Sequence, residues 1–192
     1  VGSEMCIRDR GAGLYRNVHV IVTENAYIPV WGTYITTPTA TKEFAKVNVQ
    51  TKIVLPEGAD ASKYSVKTSV WNPNGQKLTE QTIPLSQIKY NDNSLSQEFI
   101  IQTPTLWSPD MPALYSAETR LYEGDQLKDI YTTPFGIRSI EIIPNKGFFL
   151  NGEKTVFKGV CNHHDLGPLG AAVNDAAIRR QIRILKDMGC NA

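Results

Sequence analysis

No stretch of this sequence stays apolar for the ~18 residues that a membrane-crossing helix needs, and its first residues lack the basic-then-apolar order of a secretory leader. As read, the residues point to no membrane partner and carry no address. Cysteine is scarce as well. Cys6, Cys161 and Cys190 are too few and too scattered for a disulfide scaffold or for paired CxxC metal knuckles, which leaves three free thiols as the expectation. An excess of one charge is also lacking: 20 Lys and Arg face 19 Asp and Glu, a formal charge of +1, so no field favours nucleic acid or an anionic membrane. Neutral ligands fit such a surface better.

Hydrophobic residues make up 41% and charged residues 20%, values that let a chain bury a core and argue against a disordered tail. A length of 192 residues allows one ordinary domain, or a small one with a piece of another. Residues 1–10 show neither strand nor helix period and connect to nothing after them, so they read as a foreign segment outside the fold. From Gly11 to about Thr37 the texture is that of strands: Val18, Val20 and Val22 alternate with Asn17, His19 and Ile21, and Ile28 to Ile35 is rich in β-branched and aromatic residues. No earlier strand is available to pair with the first of these, which implies a domain entered partway.

Between about Thr37 and Ile137 the period stays at two. Val47, Val49, Thr51, Ile53 and Leu55 share one face and Asn48, Gln50 and Lys52 the other, and Val66, Thr68 and Val70 repeat the scheme. Further strands are expected at 95–102, 114–122 and 127–133, with turn chemistry at Asn72-Pro73-Asn74-Gly75 and Glu123-Gly124-Asp125. Six to eight short strands in about a hundred residues predict an immunoglobulin-like antiparallel sandwich with Val47, Val49, Ile53, Val66, Val70 and Leu121 turned inward. No Cys pair is placed to bridge it.

After Ile137 the pattern changes. Asn151-Gly152 between Phe148-Phe149-Leu150 and Glu153 onward predicts a hairpin with a type I′ turn, and Val156 to Cys161 suits a buried strand. Asn174 offers an N-cap, Ile178, Ile182 and Leu185 recur at helical spacing, and Gly189 ends the run. Strand, loop, helix and the start of another strand at Cys190-Asn191-Ala192 make a βαβ unit cut at its second strand.

Four motifs in order resemble the glycoside hydrolase family 2 enzymes, the β-galactosidase-like hydrolases. Residues 11–18, GAGLYRNV, resemble the end of the family's jelly-roll sugar-binding domain. Leu106-Trp107-Ser108-Pro109-Asp110 with Pro112 and Leu114-Tyr115 resembles a signature of its immunoglobulin-like middle domain, and Phe135-Gly136-Ile137-Arg138 with Ile140-Glu141 the exit from it. Residues 158–165, KGVCNHHD, resemble the first strand of its catalytic (β/α)₈ barrel. The resemblance implies a mostly β chain in four parts: residues 1–10 foreign, 11–36 the terminal strands of a jelly roll, 37–137 the sandwich, and 138–192 the first hairpin and βα unit of a TIM barrel. It further implies a retaining cleavage of β-glycosides, β-galactosides foremost, by two glutamates on later barrel strands beyond Ala192, and a bacterial periplasmic or secreted setting.

His163, His164 and Asp165 are the candidate substrate-binding residues, because they follow the first barrel strand on the face where such enzymes assemble their sites. By resemblance His163 matches a histidine that contacts substrate, and a histidine there can donate a hydrogen bond that strengthens as charge develops on the sugar ring. The competing reading of such a histidine is a ring satisfied by a backbone carbonyl at a strand end. A metal site is disfavoured, since adjacent side chains on an extended chain point opposite ways; no catalytic residue, metal or cofactor is assigned to this stretch. Trp107 could stack on a sugar, but a Trp among prolines at the end of a small sandwich better suits a plug of the core, and Trp31 and Trp71 are expected to do the same. Arg138 is expected to form an ion pair at a domain interface. Of the carboxylates after Ile137, namely Glu141, Glu153, Asp165, Asp175 and Asp187, Asp165 is the one expected on the active face. The alternative is a stand-alone immunoglobulin-like binding or spacer module with an appended hairpin and helix and no activity.

Overall fold

A computed structural model describes residues 17–87, 94–162, 166–167, 170 and 172–192. The chain is mostly β and divides into two compact units, Val22–Thr155 and a second formed by the described residues of 17–21 and 156–192.

The first unit holds seven strands that build a two-sheet antiparallel sandwich: β1 Thr33–Ala40, β2 Phe44–Lys52, β3 Tyr64–Trp71, β4 Lys77–Pro84, β5 Ser94–Gln102, β6 Tyr115–Glu123 and β7 Gln126–Phe135. One sheet has the order β1-β2-β5 and the other β4-β3-β6-β7, so the chain crosses between sheets three times. β1 begins at Thr33, ahead of the start expected near Thr37. Alternation accounts for which residues turn inward. Val47, Val49, Val66, Val70 and Leu121 are fully enclosed and Ile53 nearly so, as the period of two requires. Each such side chain contributes about 1.5–3 kcal/mol by leaving water. Ala45, Val47, Val49, Phe99 and Ile101 from one sheet pack with Val70, Tyr115, Ala117 and Phe135 from the other, which closes the sandwich.

Gln97 and Thr68 are matched inside the core, whereas the Thr51 hydroxyl, also buried, has no hydrogen-bond partner among the described residues. Gln97, 1% exposed, accepts from the Thr68 hydroxyl at 2.6 Å and donates to the Gln81 carbonyl at 3.0 Å, a bond from one sheet to the other through the core. The β3–β4 turn follows from Asn72, whose side chain accepts from the backbone N–H groups of Asn74 and Gln76 while Gly75 takes a φ of 78°. β1 is an edge strand, and its register shifts between Thr36 and Thr39, around Pro38, which has no N–H to give to a ladder.

A third sheet, of three strands, follows in the order β10-β9-β8, from β8 Ile140–Ile143, β9 Gly147–Leu150 and β10 Glu153–Lys154. Asn151 and Gly152 both take positive φ, 52° and 80°, as the type I′ hairpin demands. β8 carried no distinct signal in the sequence.

Two expected strands do not form. Residues 17–26 carry no ladder, and Val18, Val20 and Val22 are exposed, because no described strand lies where it could accept their backbone bonds; Tyr27 makes an isolated bridge to Val54. Residues 155–162 are likewise unladdered, and Val156, Phe157 and Val160 are exposed instead of buried, since a buried parallel strand needs neighbours along both edges. The expected helix does form, as α1 Asp175–Asp187. The Asn174 side chain accepts from the Ala177 N–H at 2.8 Å as its N-cap, and Gly189, φ 90°, lies just past its end.

Candidate functional site

The three candidate contacts, His163, His164 and Asp165, lie outside the described residues, and so does Cys6. The stretch that leads to them is described. Lys158 donates its N–H to the Asn191 side-chain oxygen at 2.8 Å, and the Asn191 side-chain nitrogen donates to the Val156 carbonyl at 3.0 Å. The Asn191 N–H in turn reaches the Lys158 carbonyl at 2.8 Å. One asparagine thus satisfies three backbone groups of Val156 and Lys158, two through its side chain and one through its own N–H, in place of a strand ladder. Gly159 is required beside it, because a Cβ there would collide with the Ala192 carbonyl.

Charge placement limits what the described residues can do. Asp175 and Asp187 occupy the two ends of α1, roughly 18 Å apart along its axis at 1.5 Å per residue. A retaining pair needs about 5–5.5 Å. Glu141 and Glu153 stand on β8 and β10. Among the described residues no three of His, Cys, Asp and Glu gather as metal ligands. Cys161 and Cys190 are free thiols, and no described helix is long and apolar enough to cross a membrane.

Trp107 sits where the sandwich meets the loop after β7. Its N–H donates to the Ile137 carbonyl at 2.8 Å, and its carbonyl accepts from the Asn151 side chain at 3.0 Å. Gly136 leaves room for the ring, since a Cβ there would come within 3.0 Å of it. The ring is half-buried against Gly136, while its neighbour Leu106 is the side chain that packs on the core cluster. Arg138 differs from expectation: its guanidinium stacks 4.9 Å from the Trp107 ring centre, and among the described residues it forms no ion pair. Trp31 also differs, being 86% exposed rather than a plug, because a φ of 63° in the turn before β1 leaves its ring outside the core.

Pattern reading did not anticipate a cleft of about 420 Å³ lined by Glu24, Asn25, Pro56, Tyr64, Glu123 and Lys128. Lys128 reaches Glu24 at 3.2 Å and Glu123 at 3.1 Å, and these bonds, Glu123 first, hold its ammonium above the ordinary lysine range. Burial, then the Glu123 charge, pushes the Tyr64 phenol up. The residues come from separate segments with no shared spacing, so no sequence motif marks them.

Comparison with known proteins places this geometry. Residues 27–138 match the model of the glycosyl hydrolases family 2. The beta-galactosidase BoGH2A of Bacteroides ovatus is 39% identical over 181 residues, covering 94% of this chain and 21% of that protein. A putative beta-glucuronidase of Formosa agariphila is 32% identical over 181 residues, with 94% and 16% covered. The crystal structure of a beta-glycosidase from Bacteroides vulgatus superposes with a TM-score of 0.81 at 32% identity, over 94% of this chain and 22% of that one. The chain therefore spans about a fifth of the length of the relatives it matches.

Proposed function

The chain belongs to the glycosyl hydrolases family 2, and from that membership we propose that it is part of a longer retaining enzyme that cleaves β-glycosides, β-galactosides foremost. The 39% identity to a beta-galactosidase across 94% of the chain carries this reading; relatives named as beta-glucuronidases support the reaction class and leave the sugar open. In this reading the residues ahead of the sandwich end a jelly roll, the sandwich from β1 at Thr33 to Ile137 is an immunoglobulin-like domain, and 138–192 begin the catalytic barrel. The alternation β1-β2-β5 against β4-β3-β6-β7 supports the middle assignment, since three crossings between two antiparallel sheets are the immunoglobulin-like pattern. The clip from Asn191 to Val156 and Lys158 supports the last, because it brings the backbone of 156–158 beside that of 191–192 as in a β-α-β unit.

His163 is the proposed substrate contact, with His164 and Asp165 beside it, and the two glutamates of the mechanism belong to later strands. The test is hydrolysis of an aryl β-galactoside by the longer protein, by its His163→Ala variant and by the 192-residue chain. The longer protein turns over, the variant loses rate or affinity by tenfold or more, on the order expected for one transition-state hydrogen bond, and the 192-residue chain is inactive. Turnover by that chain above a matched blank overturns the placement of the chemistry, and an unaffected variant removes His163 from the site.

A further inference from the structure

The outer face of the β1-β2-β5 sheet carries an arrangement that none of the preceding roles uses. Cross-strand register sets Tyr34, Gln50 and Ser96 in one row and Thr36, Asn48 and Glu98 in the next, on the side opposite the buried Val49 and Gln97. The strands lie ~4.8 Å apart, so a row across all three is about 10 Å wide, room for two pyranose rings side by side. Tyr34 is 67% exposed. The Asn48 side chain accepts from the Ser96 hydroxyl, and the Gln50 side chain donates to Ser94 at 3.4 Å. The remaining amide valences of Asn48 and Gln50 and the Tyr34 hydroxyl take no hydrogen bond from the described residues, so they are available to a ligand.

Charge and apolarity together select the occupant. Lys46 and Glu98 lie 3.5 Å apart on this face and offset one another, which leaves Lys52 as its one uncompensated charge among the strand residues. Tyr34 and Ile100 are its exposed large apolar side chains on these strands, too few for the desolvated centre of a protein interface. An aromatic ring beside a row of amides and hydroxyls suits the apolar C–H face and the hydroxyl rim of a neutral sugar. We propose that the Tyr34–Gln50–Ser96 face of the sandwich is a binding surface for a neutral β-linked glycan chain. The choice of a carbohydrate rests on the family reading above. Trp31, three residues before Tyr34 and held at a φ of 63°, presents a second exposed ring where β1 begins.

Titration of the 192-residue chain with β-1,4-galactotetraose, followed by amide chemical shifts, tests it, with tri-galacturonate as the charged comparison. Galactotetraose shifts residues of β1, β2 and β5, Tyr34→Ala weakens association by about tenfold, and Tyr34→Phe, which keeps the ring, stays within about threefold. Tyr34 is exposed, so both variants fold, as near-ultraviolet circular dichroism verifies. Absence of shifts with galactotetraose, stronger binding of the galacturonate, or full binding by Tyr34→Ala overturns the proposal. Concentration-dependent dimerisation abolished by Tyr34→Ala assigns the face to a second copy and likewise overturns it. Binding is read on this chain and hydrolysis on the longer protein, so either reading can fail without the other.

Discussion

The backbone N–H of Trp31 donates to the hydroxyl of Tyr131 at 3.0 Å, a bond between residues 100 positions apart. It is one of three stitches along the same seam. Ile28 donates its N–H to Asp129 at 2.8 Å, and the Thr33 and Thr133 hydroxyls bond to each other, so alternate side chains of β7 hold the stretch that leads into β1. The period of two along β7 sets their spacing.

The stitches differ in what their loss leaves behind. The Trp31 N–H is exposed, so water replaces the phenol in Tyr131→Phe and the cost is about 0.5–1 kcal/mol. Asp129→Ala strands an N–H on buried Ile28 and costs about 1–3 kcal/mol. Urea unfolding of both variants measures the difference, and an equal cost would show that burial of Ile28 is not what separates them.

Trp31 occupies a turn position that suits glycine or asparagine. Its φ of 63° costs a β-carbon-bearing residue on the order of 1 kcal/mol, and its ring gains little from an 86% exposed site. Trp31→Asn is expected to raise stability by about 0.5–1 kcal/mol, because asparagine tolerates the left-handed region. Trp31→Ala, which lacks the short polar side chain that lets asparagine hydrogen-bond locally in this region, gains none of this. Chemical denaturation of the two variants side by side reads the contrast.

Acid weakens the sandwich through Glu80. Hydrogen bonds from Lys77, at 2.9 Å, and from Lys67, at 3.2 Å, lower its carboxyl from the ordinary 4.5 to about 2. The folded state therefore favours the ionised form. Its contribution is fully present above the unfolded value of 4.5 and disappears as pH falls toward about 2. The urea midpoint of the wild type drops more than that of Glu80→Gln across this window, and added salt narrows the gap because the pairs are solvent-exposed. Parallel curves for the two proteins would exclude Glu80 as a contributor.

Asn191 is expected to control local order around 156–158 rather than global stability. Asn191→Ala removes the acceptor of the Lys158 N–H, whose amide exchange then accelerates on the order of tenfold while the amides of β2 and β6 keep their protection. Hydrogen exchange resolved by residue checks it, and an unchanged Lys158 amide would mean that the clip does not persist in solution.

Most of the sandwich was legible in the chain because strands half-buried in a two-sheet core announce themselves by alternation. Val47 and Val49, or Val66 and Val70, turn inward for the same reason that Asn48 and Gln50 turn out, and Asn72 and Asn151-Gly152 mark their turns through local backbone chemistry. Asn174 and the spacing of Ile178 and Ile182 likewise place α1 by interactions within four residues. The same local cues misled at Val18 to Val22 and at Val156 to Cys161, since a strand exists only where a neighbour accepts its backbone bonds, and β-branched composition cannot report a neighbour. Trp31 and Arg138 were misjudged for a related reason. Their surroundings come from Tyr131 and Trp107, far along the chain, and no spacing encodes them. The cleft beside Lys128, the core bond between Thr68 and Gln97 and the β1–β7 seam are of this kind too: each joins residues that come together only once the two sheets pack. Periodicity records which way a side chain faces, whereas its partner depends on how distant segments meet.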